Sequence, residues 1–147
     1  MQSFNENITK ALELLMKAHE GQKDKAGRDY RLHPITVAFI AALDGGDENC
    51  IITALLHDIV EDTQYTLDDI KKLGFNDTII SALSKLTHDK SVPYMDYIKN
   101  IKTNNTAAAV KRADLKHNMD LTRLDKVTDE DLKRVEKYKK SLNLLKI

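Results

Sequence analysis

His57 and Asp58 stand side by side in the segment Cys50-Ile-Ile-Thr-Ala-Leu-Leu-His-Asp-Ile-Val-Glu-Asp62, with Glu61 and Asp62 close behind. Its first half is apolar enough to be buried nearly all round. In a continuous helix at about 100° per residue the four polar side chains span an arc of roughly 140°. His57 then lies over Glu61, and Asp58 over Asp62. Three carboxylates this close repel one another, and burial makes the repulsion worse unless a cation compensates. A solvated acidic helix end is the plain alternative. Two points oppose it: acidic residues at a helix C-terminus face an unfavourable macrodipole, and Ile59 and Val60 keep the segment apolar.

Asp114 is a second signal. Helical spacing puts Ala107, Val110, Asp114, Asn118 and Leu121 on one stripe of small and apolar residues. A carboxylate on such a face needs a partner, either a core arginine or a metal ion, and Lys111 and Asn118 fall beside it. His33 is weaker alone. Pro34 holds it extended, and its value comes from the set. Two histidines and two aspartates give nitrogen and oxygen ligation without thiolate. That points away from a closed structural zinc site and toward a metal with open positions for water. Mn²⁺ is the first choice, with Fe, Zn, Co or Mg as alternatives.

The elements that must position these residues are helical. Ile8, Ala11, Leu12, Leu15 and Ala18 keep helical spacing in a first helix that runs out before Gly21. Pro34 suits the first turn of a second, carrying Val37, Ala38, Ile40 and Ala41. Gly45-Gly46-Asp47 breaks the chain and caps a third, from Glu48 to about Asp62. Thr66 and Asp69 read as a capping box for a short helix closed by Gly74. Further helices run from about Asp77 to Thr87, from Pro93, and from Thr106 to about Leu121. The last begins at Thr128, capped with Asp131, and continues to the C-terminus. The expectation is an all-α bundle of about eight helices.

Bulk properties exclude several classes. The chain has 147 residues, 41% of them apolar, which suits one domain with one core. Lys plus Arg equals Asp plus Glu at 23 each, so nothing global draws it to nucleic acid or an anionic membrane. No signal peptide or membrane-length apolar run is present. The single cysteine, Cys50, lies in an apolar stretch as a core thiol, which fits a reducing cytoplasm.

His33-Pro34, His57-Asp58-Ile-Val-Glu61-Asp62 and Lys111-Arg-Ala-Asp114 to His117-Asn118-Met119 resemble the HD-domain superfamily. The closer resemblance is to the hydrolase domain of Rel/SpoT proteins and the stand-alone small alarmone hydrolases. His19-Glu-Gly-Gln22, Lys25, Gly27, Tyr30 and Asp62-Thr63 extend it, so that it covers about residues 10 to 125. The resemblance implies a metal held by His33, His57, Asp58 and Asp114. It implies that Glu61 and Asp62 work on the hydrolytic water and the leaving group. Lys25 and Asn118 would lie along the phosphates and ribose of a nucleotide. The implied reaction removes pyrophosphate from the 3′ position of guanosine tetra- or pentaphosphate with Mn²⁺. Residues 1–147 would form one HD hydrolase domain, without the family's synthetase domain.

Four positions depart from the family. Asp24 replaces the arginine that packs on the guanine base, and Ala26 replaces a serine. Leu121 stands for a threonine near the base, and Leu115 for an arginine after the metal-binding aspartate. The chemistry is intact while base recognition is altered.

In the expected mechanism the cation lowers the pKa of a bound water from about 15.7 toward neutrality. Glu61 or Asp62 accepts the water's proton, and the other orients the water or protonates the leaving oxygen. Lys25 and Lys111 offer charge to the phosphates. An HD phosphohydrolase for another nucleotide, such as a nucleoside monophosphate or the 2′-phosphate of NADPH, is the second reading. A non-catalytic nucleotide-sensing module is the third, opposed by the complete residue set. The remaining features have ordinary explanations. His88 reads as a surface residue, His117 as a brace for its helix, and His19 as support for the loop carrying Lys25. The basic residues Lys133, Arg134, Lys137, Lys139 and Lys140 read as a solvated face over an apolar stripe.

Overall fold

Side-chain caps fix most of the helix starts in the computed structural model, which describes residues 3–146. Ser3 and Glu6 form a reciprocal capping box that opens α1 (Phe4–Ala18). Asp47 accepts from the Cys50 amide to start α3 (Glu48–Leu56). The boxes at Thr66–Asp69 and Thr128–Asp131 start α5 (Leu67–Lys72) and α9 (Asp129–Leu145), as the sequence predicts. Each satisfied N-terminal amide contributes about 1 kcal/mol. Between them lie α2 (Leu32–Leu43), α4 (Ile59–Asp62), α6 (Asp77–Leu86), α7 (Tyr94–Lys102) and α8 (Asn105–Asn118). A 3₁₀ turn, η1, covers Leu121–Arg123. The described residues form no strand, only an isolated bridge between Lys23 and Asp29.

The fold is therefore all-α, with one informative difference from the sequence reading. The helix expected from Glu48 to Asp62 is two helices, broken at His57–Asp58. The cause is local. His57 Nδ1 donates to the Ala54 carbonyl at 2.6 Å, the acceptor that a continuous helix would offer to the Asp58 amide. Glu61 and Asp62 consequently lie in the first turn of α4 rather than at the end of a long helix. They still end α4, but a helix of one turn carries little macrodipole, so the expected penalty shrinks. α8 stops at Asn118, so Leu121 leaves its helical stripe for η1.

α3 is the centre of the bundle, packed by α1, α2, α6 and α8. Ile52, Leu55, Leu56 and Ile59 are buried there with Leu15, Val37, Leu83, Ile98 and Val110. Fully burying such side chains stabilises the fold by about 1.5–3 kcal/mol each. In α1 the buried face is Ala11, Leu14 and Leu15, while Leu12 turns outward. The turn from α2 to α3 needs its two glycines. Gly45 takes φ +91°, and a Cβ on Gly46 would come within 2.8 Å of the Ala41 carbonyl oxygen and 2.9 Å of Cys50 Sγ. Among the described residues no helix is long and apolar enough to cross a membrane. α9 ends at Leu145, and Ile147 lies outside the described residues.

Candidate metal centre and adjoining cleft

The donors converge from three elements. His33, expected to be held extended by Pro34, instead lies in the first turn of α2; His57 and Asp58 come from the α3–α4 break, and Asp114 from the buried face of α8. Donor atoms of His33, His57 and Asp58 all lie within 4.8 Å of one another. Asp114 Oδ1 is 2.9 Å from His33 Nε2 and 3.4 Å from His57 Nε2. His33, His57 and Asp114 are buried, and Asp58 is nearly so.

Whether the cluster suits a cation is decided by the His57 tautomer. Because Nδ1 donates to Ala54, a neutral ring has its lone pair on Nε2. That buried nitrogen lacks a hydrogen-bond partner and sits 3.2 Å from Asp58 Oδ2, with Asp114 near. A lone pair aimed at two carboxylates is unfavourable unless a positive charge lies between them. Burial opposes charge on His57, yet the Asp58 and Asp114 carboxylates raise its pKa well above the ordinary value. Without a cation the ring holds a proton in that place. The donor set fits a divalent ion.

Each candidate ligand is braced. Asp114 accepts from Lys111 Nζ at 2.8 Å and Asn118 Nδ2 at 3.0 Å. Burial would push its carboxyl up, but Lys111 and the two histidines hold it well below the usual range. His33 Nδ1 is 2.8 Å from His117 Nδ1, and the rings stack at 5.0 Å. His117 thus braces a candidate ligand as well as its own helix. Tyr30 donates to Asp58 Oδ2 at 2.6 Å and approaches Asp62 Oδ2 at 3.5 Å. We predict that Tyr30→Phe weakens divalent-metal binding by about tenfold, the usual cost of losing such a brace. Calorimetric titration of the folded variant checks this; an unchanged affinity would remove Tyr30 from the support of Asp58.

Glu61 and Asp62 are exposed beside this cluster. Glu61 Oε1 accepts from the His88 amide at 2.7 Å. Although the residue as a whole is exposed, partial burial of its carboxyl on the cluster side, with the Asp58 and Glu61 carboxylates near, raises Asp62 to about 6. Gln22 Nε2 donates to the Asp62 carbonyl, and Gln22 Oε1 lies 2.9 Å from His19 Nδ1. His19 therefore supports the segment leading to Lys25, as expected. His88 is not simply a surface residue. It is half-buried, stacks on Tyr97 at 4.3 Å and positions Glu61.

A cleft of about 280 Å³ adjoins the cluster at Tyr30 and Asn118. Lys25 and Asn118 line it, as do Asp24, Ala26 and Leu121, three of the four altered positions. Lys111 does not. Its ammonium is buried against Asp114 and over the Tyr97 ring, which places it behind the ligands. Asp24 Oδ1 accepts from the Ala26 and Arg28 amides at 2.9 Å each and so shapes the loop. Arg123, Arg134 and Tyr138 also line the cleft, and sequence reasoning missed all three. Arg134 and Tyr138 stand one turn apart on α9, a spacing that separates them from the solvated lysines. Arg123 gave no such sign, because it lies beyond the end of α8.

A family model described as HD domain matches residues 11–119. The chain is 31% identical over 149 residues to a GTP pyrophosphokinase of Streptomyces coelicolor, covering 95% of this chain and 17% of the relative. It is 37% identical over 89 residues to a guanosine-3′,5′-bis(diphosphate) 3′-pyrophosphohydrolase of Aquifex aeolicus, covering 60% and 13%. The chain spans less than a fifth of the length of these curated relatives. A solved structure described as a metazoan ortholog of SpoT that hydrolyzes ppGpp superposes with a TM-score of 0.78. The two share 27% identity, over 95% of this chain and 85% of the other.

Proposed function

The chain belongs to the HD-domain family, and from that premise we propose that it removes pyrophosphate from the 3′ position of guanosine tetra- or pentaphosphate. Metal dependence is general to HD domains, and this one has a His/Asp cluster able to hold an ion. His33, His57, Asp58 and Asp114 would hold it, and Mn²⁺ is the ion we propose. The observation that carries the reading is the buried, partnerless His57 Nε2 between Asp58 and Asp114. Held by these residues, a divalent ion would supply acidification of a bound water and neutralisation of phosphate charge.

The other residues divide the remaining work. Asp62 takes the proton of the attacking water as the new phosphorus–oxygen bond forms. Glu61, held by His88, orients that water or returns a proton to the departing ribose oxygen. Lys25 and Asn118 receive phosphate and ribose along the cleft. Lys111 acts on substrate only through Asp114, whose charge and direction it sets. Support for the guanosine substrate comes from the Aquifex relative and the SpoT-like structure. Synthesis, which the Streptomyces relative's name describes, is not proposed for residues that match an HD domain. No nucleic-acid or membrane partner is proposed. A cytoplasmic location is part of the proposal, and the single buried, unpaired Cys50 thiol is consistent with it.

One observation favours a second substrate. Asp24, at the position expected to pack on guanine, is engaged in its own loop, and Leu121 brings an aliphatic surface to the cleft. Another nucleotide, a nucleoside monophosphate or NADPH, is therefore the alternative. Protein stripped with a chelator should be inactive and regain turnover with Mn²⁺ better than with Zn²⁺ or Mg²⁺. It should then be offered ppGpp, NADPH and nucleoside monophosphates, with pyrophosphate and orthophosphate measured separately. Pyrophosphate from ppGpp is the expected result. Orthophosphate from NADPH or a monophosphate, with ppGpp untouched, selects the alternative. Activity that survives chelation rejects both.

A further inference from the structure

The outer face of α2, behind the helix that carries His33, is apolar and uncovered. We propose that it is a homodimer interface in which α2 of one copy packs antiparallel against α2 of a second. Leu43 is 71% exposed, Phe39 64% and Leu32 54%, with Ile35 also exposed. No residue of α2 carries a formal charge other than His33, which is buried on the opposite face. A helix that is apolar on every side is one that something buries. Met16 and Leu12 of α1 extend the patch at the Arg31 end, where Arg31 Nη1 donates to the Met16 carbonyl. Together these exposed side chains present roughly 600 Å² of apolar surface, at the upper end for a monomer and approaching one partner's share of a standard interface.

The occupant follows from the order of residues along the stripe. A two-fold axis crossing α2 at its midpoint, between Val37 and Ala38, exchanges Leu32 with Leu43 and Thr36 with Phe39. The aliphatic ends meet each other, and each Phe39 ring meets the smaller Thr36 of the other copy. The same axis brings Arg31 beside Asp44 of the second copy, opposite charges at both rims. Both already have partners within the chain, Arg31 with Asp29 and Asp44 with Lys116, so the contact across the axis would be shared with those pairs. A parallel arrangement would set like charge against like. An isologous contact needs such a self-complementary patch, and antiparallel packing also opposes the two helix dipoles.

Sedimentation of the full chain from about 1 to 100 μM spans the affinities expected for an interface of this size. The wild type should sediment as a dimer at the upper end. Phe39→Arg should raise the dissociation constant at least 100-fold while leaving the thermal melt in place at about 1 μM, where both proteins are monomeric, since the side chain is exposed. Arg31→Glu and Asp44→Arg should each weaken the dimer about tenfold, and the double variant should recover most of the loss. A wild type that stays monomeric throughout overturns the proposal. So does a dimer indifferent to Phe39→Arg, and single charge reversals with no effect overturn the antiparallel arrangement.

Discussion

Replacing Asp114 by alanine should remove bound metal, abolish hydrolysis and lower the stability of the fold by about 3–5 kcal/mol. The effect is large because Asp114 does two things at once. Its Oδ1 lies against both candidate histidine ligands, and its Oδ2 is the counter-ion of Lys111. Burial works against charge on Lys111, but Asp114 holds its pKa well above the ordinary value. Without the carboxylate a lysine with only 13% of its side chain exposed is left unpaired. Breaking a buried pair from one side strands the other charge, which costs more than the pair contributes. The melting temperature should fall by about 10 °C or more. Asp114→Asn separates the two roles. The amide still accepts from Lys111 and fills the same volume, so part of the stability returns. Its neutral oxygen is a poor ligand, so metal binding does not return. Metal titration beside a thermal melt reads both quantities. An alanine variant as stable as the wild type, with metal bound, would show that Asp114 holds neither.

The second large effect concerns turnover without loss of metal. Asp62→Asn should lower kcat by about 10²–10⁴, the range for removing a general base, with metal affinity changed little. Asp62 lies outside the ligand cluster and meets it only through Tyr30 and the neighbouring Asp58. Glu61→Gln is a milder test. The amide oxygen can still accept from the His88 amide, so the loop at His88 stays docked while the charge is lost. Single-turnover rates measured at saturating Mn²⁺ distinguish chemistry from binding. If Asp62→Asn instead stripped the metal, Asp62 would belong among the ligands and the base would have to be sought elsewhere.

What the sequence revealed, and what it hid, divides along a physical line. The helices were legible because periodicity and caps are local: Asp47, Thr66 with Asp69, and Thr128 with Asp131 each cap the helix expected of them. The convergence of His33, His57, Asp58 and Asp114 was legible from residue types that make little sense on apolar faces. The break at His57–Asp58 was not, since it depends on one imidazole nitrogen choosing a carbonyl three residues back. Lys111 shows a different limit. Spacing put it beside Asp114 but could not say whether it faced the ligand from behind or the substrate from in front. His88 and Arg123 were hidden because each lies in a connection, where no period constrains direction. His88 finds Glu61 across 27 positions of sequence, and Arg123 reaches the cleft by bonding the His117 carbonyl at the end of α8. Even the resemblance could not foresee that Asp24 would turn its carboxylate into its own loop.

The α2–α3 turn has a mechanical meaning for the candidate metal centre. His33 sits at the far end of α2 from Gly46, and His57 at the far end of α3, so the two helices act as the arms of a caliper pivoting at the glycines. An arm of 12 residues is about 18 Å long at 1.5 Å per residue. A splay of only about 5° at the pivot would separate the two imidazoles by roughly 1.5 Å, beyond the tolerance of about 0.5 Å that a working site allows. The packing of the Ala41 carbonyl and Cys50 Sγ around Gly46, too close to admit a Cβ, is thus a gauge setting read out at the opposite end of the bundle, by residues it never touches.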